Sequence, residues 1–153
     1  MNKAQAEQML AYFRMILGVT RKLVDQFPED RMTFKPIGTV RTVSETVVHM
    51  YAFMLEAMET VRDGKFEVSE PPVIETKSAL LAYMDAQVEK FYKIFDDVTD
   101  EKLAAMIDSY GKSMPAGFFL TFAYDEHWHH RGALTVYLRM LGIEPIMIYS
   151  YEQ

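Results

Sequence analysis

The sequence predicts an all-α fold, a four-helix bundle with one short extra helix, and three observations support this prediction. Apolar residues recur at helical spacing along four long stretches of the 153-residue chain. Pro and Gly interrupt the chain between these stretches. No run of alternating β-branched residues is long enough to make a sheet. A chain of this length is expected to form one domain, over residues 1–153.

The first predicted helix covers about residues 3–26. Phe27-Pro28 ends it, because proline disfavours helical backbone in the residue before it. Residues 30–41 have no helical period and contain Pro and Gly, so they form a connecting loop. The apolar stripe of this helix consists of Met9, Phe13, Ile16, Leu17, Leu23 and Val24.

The second predicted helix covers about residues 42–62. Thr42 and Glu45 have the spacing of a capping box, which marks the start of a helix, and Gly64 marks its end. A crossover with prolines follows over residues 67–75. The apolar stripe consists of Val47, Met50, Tyr51, Met54, Met58 and Val61, and its methionines are expected to fill the core or to line a pocket for an apolar substrate.

The third predicted helix covers about residues 76–97, and a short extra helix follows near residues 100–106. The last long helix is expected to start at a Ser113 cap, to hold Pro115 in its first turn and to end before Gly142. Four long helices at this chain length fit a bundle.

Composition and charge exclude several classes of function. The net charge is -6, and the Lys and Arg residues are scattered, which disfavours nucleic acid and anionic membrane surfaces as partners. The N-terminus lacks the apolar core of a signal peptide, so a cytoplasmic location is expected. Because the chain has no cysteine, any bound metal must use His and carboxylate ligands.

Three of the four histidines cluster in the middle of the last helix. On a helical wheel, Glu126 and His130 fall within the apolar stripe of this helix, which predicts that both point toward the core. The stripe consists of Phe119, Phe122, Ala123, Ala133, Leu134, Tyr137 and Leu141. A buried carboxylate must find a partner or change its protonation. The two side chains therefore pair with each other, pair with a Lys or Arg of another helix, or bind a metal ion.

The neighbours of this pair are weaker ligand candidates. His127 and His129 flank the stripe on opposite sides, and Trp128 and Arg131 are predicted to point away from it. His127, His129 and Asp125 remain alternative ligands or residues that support the ligands. A second apolar strip on the outer side of the helix would contact either a partner chain or the short extra helix, and it consists of Leu120, Tyr124, Trp128 and Leu138.

The fourth histidine, His49, lies on the second helix outside its densest apolar stripe, so periodicity alone does not select it. A ferritin-like di-iron site needs two Glu-x-x-His motifs. Glu126 and His129 supply one motif, but Glu45 and His49 are spaced i, i+4, so a second motif is absent. This alternative is disfavoured.

Two segments of the chain resemble a known family. Residues 129–134 (HHRGAL), followed by VYLR at 136–139 and LGIEP at 141–145, resemble the closing signature of the DinB-like superfamily of damage-inducible metalloproteins. Residues 42–49 (TVSETVVH) are similar to its second helix, which ends in a metal-binding His. The resemblance implies a four-helix bundle, commonly dimeric, that binds one divalent metal ion through three His.

By position, the resemblance implies that His49, Glu126 and His130 are the metal ligands. Glu126 stands where the family usually has His, and Ala133 replaces its usual Gln. Two His and one carboxylate are a competent ligand set for zinc or ferrous iron. Zinc or nickel is expected, with iron or manganese as alternatives; the Glu could also act as a base beside a weakened site.

The resemblance implies two kinds of activity for a homodimeric enzyme with a small-molecule substrate. One is metal-dependent hydrolysis, and the other is transfer of a low-molecular-weight thiol to an electrophile. The sequence assigns no catalytic residue to either reaction. The alternative is a non-catalytic, stress-related dimeric scaffold that carries a degenerate metal site.

Overall fold

Five helices and one β-hairpin form the part of the chain, residues 1–150, that the computed structural model describes. The long helices are α1 (Lys3–Asp25), α2 (Val43–Asp63), α3 (Lys77–Asp96) and α5 (Gly117–Met140), and the short one is α4 (Asp100–Ala104). Between α4 and α5 lie the strands β1 (Met106–Ser109) and β2 (Lys112–Pro115). The predicted all-α fold with a short extra helix is confirmed. None of these helices combines the length and the apolar character that a membrane span requires.

The ends of α2 are fixed by local sequence, as predicted. The Thr42 hydroxyl accepts a hydrogen bond from the Glu45 backbone N–H (3.1 Å), and the Glu45 carboxylate accepts one from the Thr42 N–H (2.7 Å). The hydrogen bond from the Thr42 backbone lowers the pKa of Glu45. Gly64 ends the helix in the left-handed conformation, at φ 72°, which residues with a Cβ rarely adopt.

Helix α2 lies at the centre of the bundle and packs against both α3 and α5. Met50, Met54 and Met58 of its apolar stripe are at most 1% exposed, so they fill the core rather than line a pocket. Other fully buried core side chains are Leu10, Phe13, Ile16, Leu23, Phe27, Met32, Tyr51 and Phe91. The packing of α2 against α5 is what positions the site described below.

The prediction that the last helix starts at Ser113 is wrong. Ser113 and Pro115 belong to β2, which pairs antiparallel with β1, and Tyr110-Gly111 form the turn at φ 52° and 72°. Positive φ at both turn residues matches the twist of a tight hairpin. Helix α5 begins only at Gly117, where a Cβ would approach the Leu103 carbonyl oxygen to 3.3 Å.

The predicted outer apolar strip of the last helix is also wrong in part. Leu120 and Leu138 are 1% and 0% exposed and belong to the core. Trp128 is half-buried, and the Arg131 guanidinium carbon lies 4.1 Å from the centre of its ring. The face of α5 that does remain exposed carries Phe118, Phe122, Val136 and Met140.

Candidate metal centre

Three side chains meet where α2 packs against α5. His49 comes from α2, and Glu126 and His130 come from adjacent turns of α5. The Nε2 atoms of His49 and His130 lie 3.4 and 3.1 Å from the same Glu126 oxygen, Oε2. One ligand atom from each residue falls within 4.8 Å of the others. The structure thus brings together the three residues that the resemblance implied.

The spacing of these atoms fits a shared metal ion. Tetrahedral ligands about 2.0–2.2 Å from zinc lie roughly 3.3–3.6 Å from one another. Of the two observed N···O distances, 3.4 Å falls within this range and 3.1 Å lies slightly below it. The longer one exceeds the usual length of an N–H···O hydrogen bond. Two imidazoles and one carboxylate form a donor set that suits a divalent ion, so His49, Glu126 and His130 are a candidate metal-binding site.

The protonation states of the two histidines also suit a metal ion. Burial lowers the pKa of His49, and the positive charge of Arg41 lowers it further, while Glu126 opposes both effects. Burial is likewise the largest cause that lowers the pKa of His130. Both imidazoles are therefore neutral at pH 7, the form that offers a lone pair to a metal.

The alternative ligands are not brought into this group. Asp125 and His129 are exposed, and the His129 ring only contacts His130 edge-on, at 4.8 Å between ring centroids. His127 lies on another face of α5, where its Nε2 is 2.8 Å from the Thr20 hydroxyl oxygen. None of the three is placed as a ligand in this structure.

The predicted orientation of α5 is wrong by about one residue around the helix. The Glu126 side chain is 40% exposed and that of His130 is 12% exposed, whereas His127 and Arg131 are almost completely buried. The wheel used Phe122 to mark the core, but this residue is 38% exposed. The candidate metal-binding side chains therefore lie at the edge of the core, and Glu126 is open to solvent.

A cavity of about 970 Å³ adjoins this edge, and both His49 and Glu126 line it. Its floor is α2, with Val48, Ala52 and Phe53, and its opposite side is the chain between α2 and α3. We call residues 65–76 the wall segment. It has no regular secondary structure except at its last residue, the cap of α3. This volume accommodates a small organic molecule beside the candidate metal site.

Two side chains of α2 hold the wall segment in place. Glu56 is only 7% exposed. Its carboxylate accepts hydrogen bonds from the Ser69 backbone N–H (2.8 Å) and hydroxyl (2.5 Å). The Ser44 hydroxyl donates to the Ile74 carbonyl. Because the wall segment lacks internal hydrogen-bonded structure, these contacts determine where this side of the cavity lies.

Sequence reasoning missed three charged residues of the cavity, Arg41, Glu56 and Glu75. Glu56 lies seven residues after His49, which is two helical turns and therefore the same face of α2. That spacing was a usable signal. Arg41 gave no signal, because it lies in an irregular loop and reaches the cavity only through the tertiary fold.

Comparison with known proteins agrees with this architecture. The chain is 25% identical over 149 residues to the uncharacterized protein YjoA of Bacillus subtilis strain 168, which covers 95% of this chain and 97% of YjoA. The crystal structure of that DinB-like protein matches with a TM-score of 0.79 and 24% identity, over 92% of this chain and 96% of the other. A DinB-like protein from Bacillus cereus matches with a TM-score of 0.79 and 20% identity, over 94% and 97%.

The strongest of these findings concerns the family. The match to the DinB family covers residues 1–153. It agrees with the resemblance of the second and last helices. The chain therefore belongs to the DinB family.

Proposed function

We propose that this DinB-family protein is a metal-dependent enzyme that binds one divalent ion through His49, Glu126 and His130. The observation that carries the proposal is the convergence of two imidazole nitrogens and one carboxylate oxygen within 4.8 Å beside a large cavity. Zinc and nickel suit this donor set best, and ferrous iron and manganese are the alternatives.

Three protein ligands leave coordination positions open, as in catalytic sites and unlike closed structural sites. A divalent ion bound there would lower the pKa of a coordinated water or thiol and polarise a carbonyl group. The protein contributes a rigid frame, because both helices that carry the ligands are packed in the core. The reaction is then either hydrolysis or transfer of a low-molecular-weight thiol to an electrophile held in the cavity.

Metal binding is tested by elemental analysis of protein purified without chelator, repeated after separate additions of zinc, nickel, ferrous iron and manganese. We expect about one ion per chain for the wild type, since the site has one ligand set. His49→Ala and His130→Ala should each lose the ion, and His129→Ala, which removes an exposed neighbour of the ligands, should keep it. Equal retention in all three variants would refute the ligand assignment.

Activity is tested separately on the metal-loaded protein. A thiol-transfer assay with small thiols and an alkylating electrophile, run beside an ester-hydrolysis assay, distinguishes the two reactions. Activity that disappears in His130→Ala and persists in His129→Ala supports the enzyme. Stoichiometric metal binding without turnover in either assay favours the non-catalytic scaffold.

The exposed face of α5 favours a homodimer in either case. Phe118, Phe122, Val136 and Met140 are 52%, 38%, 51% and 58% exposed and lie on one side of this helix. Exposed apolar side chains that follow one helix face are typical of a surface that contacts a partner. We expect sedimentation equilibrium to give a dimer for the wild type and a monomer for the double variant Phe118→Glu, Val136→Glu.

A further inference from the structure

Arg41 is the cation of the cavity. It is the only Lys or Arg among the cavity-lining residues in the described part of the chain. Its side chain is exposed, and no salt bridge joins it to a residue within 1–150. Its positive charge lowers the pKa of both histidines of the candidate metal site, His49 and His130. The guanidinium is thus free to bind a ligand close to the candidate metal site.

The backbone of Arg41 is held firmly although its side chain is not. The Tyr137 hydroxyl of α5 donates a hydrogen bond to the Arg41 carbonyl (3.1 Å), and the next residue, Thr42, caps α2. This arrangement anchors the start of the side chain relative to both helices that carry the metal ligands. An arginine with a fixed backbone loses less entropy on binding than one on a mobile loop.

The start of α2 cannot itself bind an anion. Its first backbone N–H groups already donate to protein acceptors: Val43 to the Phe34 carbonyl (3.0 Å) and Ser44 to the Met32 carbonyl (3.0 Å). The N–H of Glu45 donates to the Thr42 hydroxyl. Recognition of a negative group at this end of the cavity therefore depends on the Arg41 side chain.

The rest of the cavity determines what else a ligand needs. Its surface is mainly apolar and aromatic, with contributions from Val48, Ala52, Phe53, Phe66, Val68 and Val73. Glu45, Glu56, Glu75 and Glu126 also line it. Four carboxylates beside one guanidinium disfavour a multiply charged group such as a phosphate, whereas one carboxylate in direct contact with Arg41 matches the charge and the planar shape of the guanidinium.

We propose that the cavity takes a substrate with an apolar body and a single carboxylate, and that Arg41 binds this carboxylate and determines specificity. The apolar body packs on Phe53 and Phe66, which places the rest of the molecule against the candidate metal ligands. This inference extends the proposed function, because it takes the cavity beside His49 as the substrate site.

The test compares two probes that share the same apolar body and differ in the head group, phenylbutanoate with a charged carboxylate and phenylbutanol with a neutral hydroxyl. Their dissociation constants are measured by calorimetry on the metal-free protein, where the carboxylate cannot bind a metal ion, and again on the zinc-loaded protein. The variants are Arg41→Ala, Arg41→Lys and the control Lys35→Ala, which removes a nearby exposed charge that does not line the cavity.

In the wild type and in Lys35→Ala, the acid should bind about tenfold more tightly than the alcohol, as expected for one charge-assisted pair. Arg41→Ala should remove this preference and leave the affinity for the alcohol unchanged, while Arg41→Lys should keep part of it. Equal affinity for both probes, a preference that persists in Arg41→Ala, or no binding of either probe would overturn the inference. The first comparison uses metal-free protein, so it tests the role of Arg41 whether or not the candidate site binds an ion. Failure of the proposed metal site and failure of this inference therefore give different results.

Discussion

A buried histidine makes the stability of this fold depend on pH. His127 is 1% exposed and lies between the rings of Phe13 and Tyr51, with ring centroids 5.2 and 5.6 Å away. The Thr20 hydroxyl donates its hydrogen to the Ile16 carbonyl (2.9 Å), so the Nε2 atom of His127 must supply the hydrogen in its own contact with Thr20. The other ring nitrogen, Nδ1, is buried without a hydrogen-bond partner in the described part of the chain, so a proton there would be unsatisfied and the imidazole is neutral in the folded protein.

Burial is the largest cause that lowers the pKa of His127, from 6.5 to about 3, and the charge of Arg131 lowers it further. The unfolded chain binds a proton near pH 6.5, whereas the folded chain does not until about pH 3. The stability that the buried, neutral His127 contributes is thus fully present above pH 6.5 and is lost as the pH falls toward 3. Between about pH 7.5 and about pH 5, His127 alone should reduce the free energy of unfolding by about 2 kcal/mol.

The assay is urea unfolding of the wild type and of His127→Gln at several pH values in this range, without added metal. Glutamine keeps an N–H donor for Thr20 but does not titrate. Its loss of ring contacts lowers stability at every pH, so the quantity compared is the change in free energy with pH. We expect this change to be smaller in His127→Gln than in the wild type by about 2 kcal/mol.

The matched control is His129→Gln, because His129 is exposed and its replacement removes a histidine of the same helix without removing a buried imidazole. It should keep the pH dependence of the wild type. Identical pH dependence of the wild type and His127→Gln would refute the reasoning, since it would mean that the folded protein protonates His127 as easily as the unfolded chain does.

Three further predictions concern the candidate site and its frame. Glu126→Gln should weaken zinc binding by at least about tenfold, because a neutral amide is a poorer ligand than a carboxylate; competition with a metal indicator measures this, and unchanged affinity would remove Glu126 from the ligand set. Glu56→Ala should leave the bundle folded but accelerate amide hydrogen exchange at Ser69, and an unchanged exchange rate would contradict the anchoring role. Thr42→Ala should lower the free energy of unfolding by about 1 kcal/mol in chemical denaturation, because the Glu45 N–H loses its acceptor, and full stability would show that this cap contributes nothing.

Features that depend on neighbouring residues could be predicted from the sequence. The capping box of Thr42 and Glu45 and the glycine end of α2 involve atoms only a few residues apart, and both were found where expected. The hairpin before α5 was missed because its strands are four residues each, too short for an alternating pattern. Its one signal was the glycine of the Tyr110-Gly111 turn, which equally suits a plain loop.

The candidate site depends on tertiary packing, which periodicity does not contain. Glu126 and His130 could be paired by their spacing on one helix, but His49 was found only through the family resemblance. The wheel placed Glu126 and His130 in the core because it counted Phe122 as buried. A rotation of one residue, about 100°, exchanges a core position for an edge position. The sequence and the family resemblance therefore named three residues that the fold brings together, and the helical wheel misjudged their surroundings.

In many enzymes the same residues hold the reactive group and shape the substrate pocket. In this protein the wall segment only shapes the cavity, and other residues form the candidate metal site. The ligand side chains of the candidate metal site lie on helices of the bundle, while one whole side of the cavity is an irregular chain attached to α2 mainly through Ser69 and Ile74. Substitutions at its exposed positions, such as Val68 and Val73, alter the shape presented to a substrate without removing core contacts. The shape of the cavity in the proposed enzyme can therefore be changed at the wall segment with little effect on the stability of the bundle.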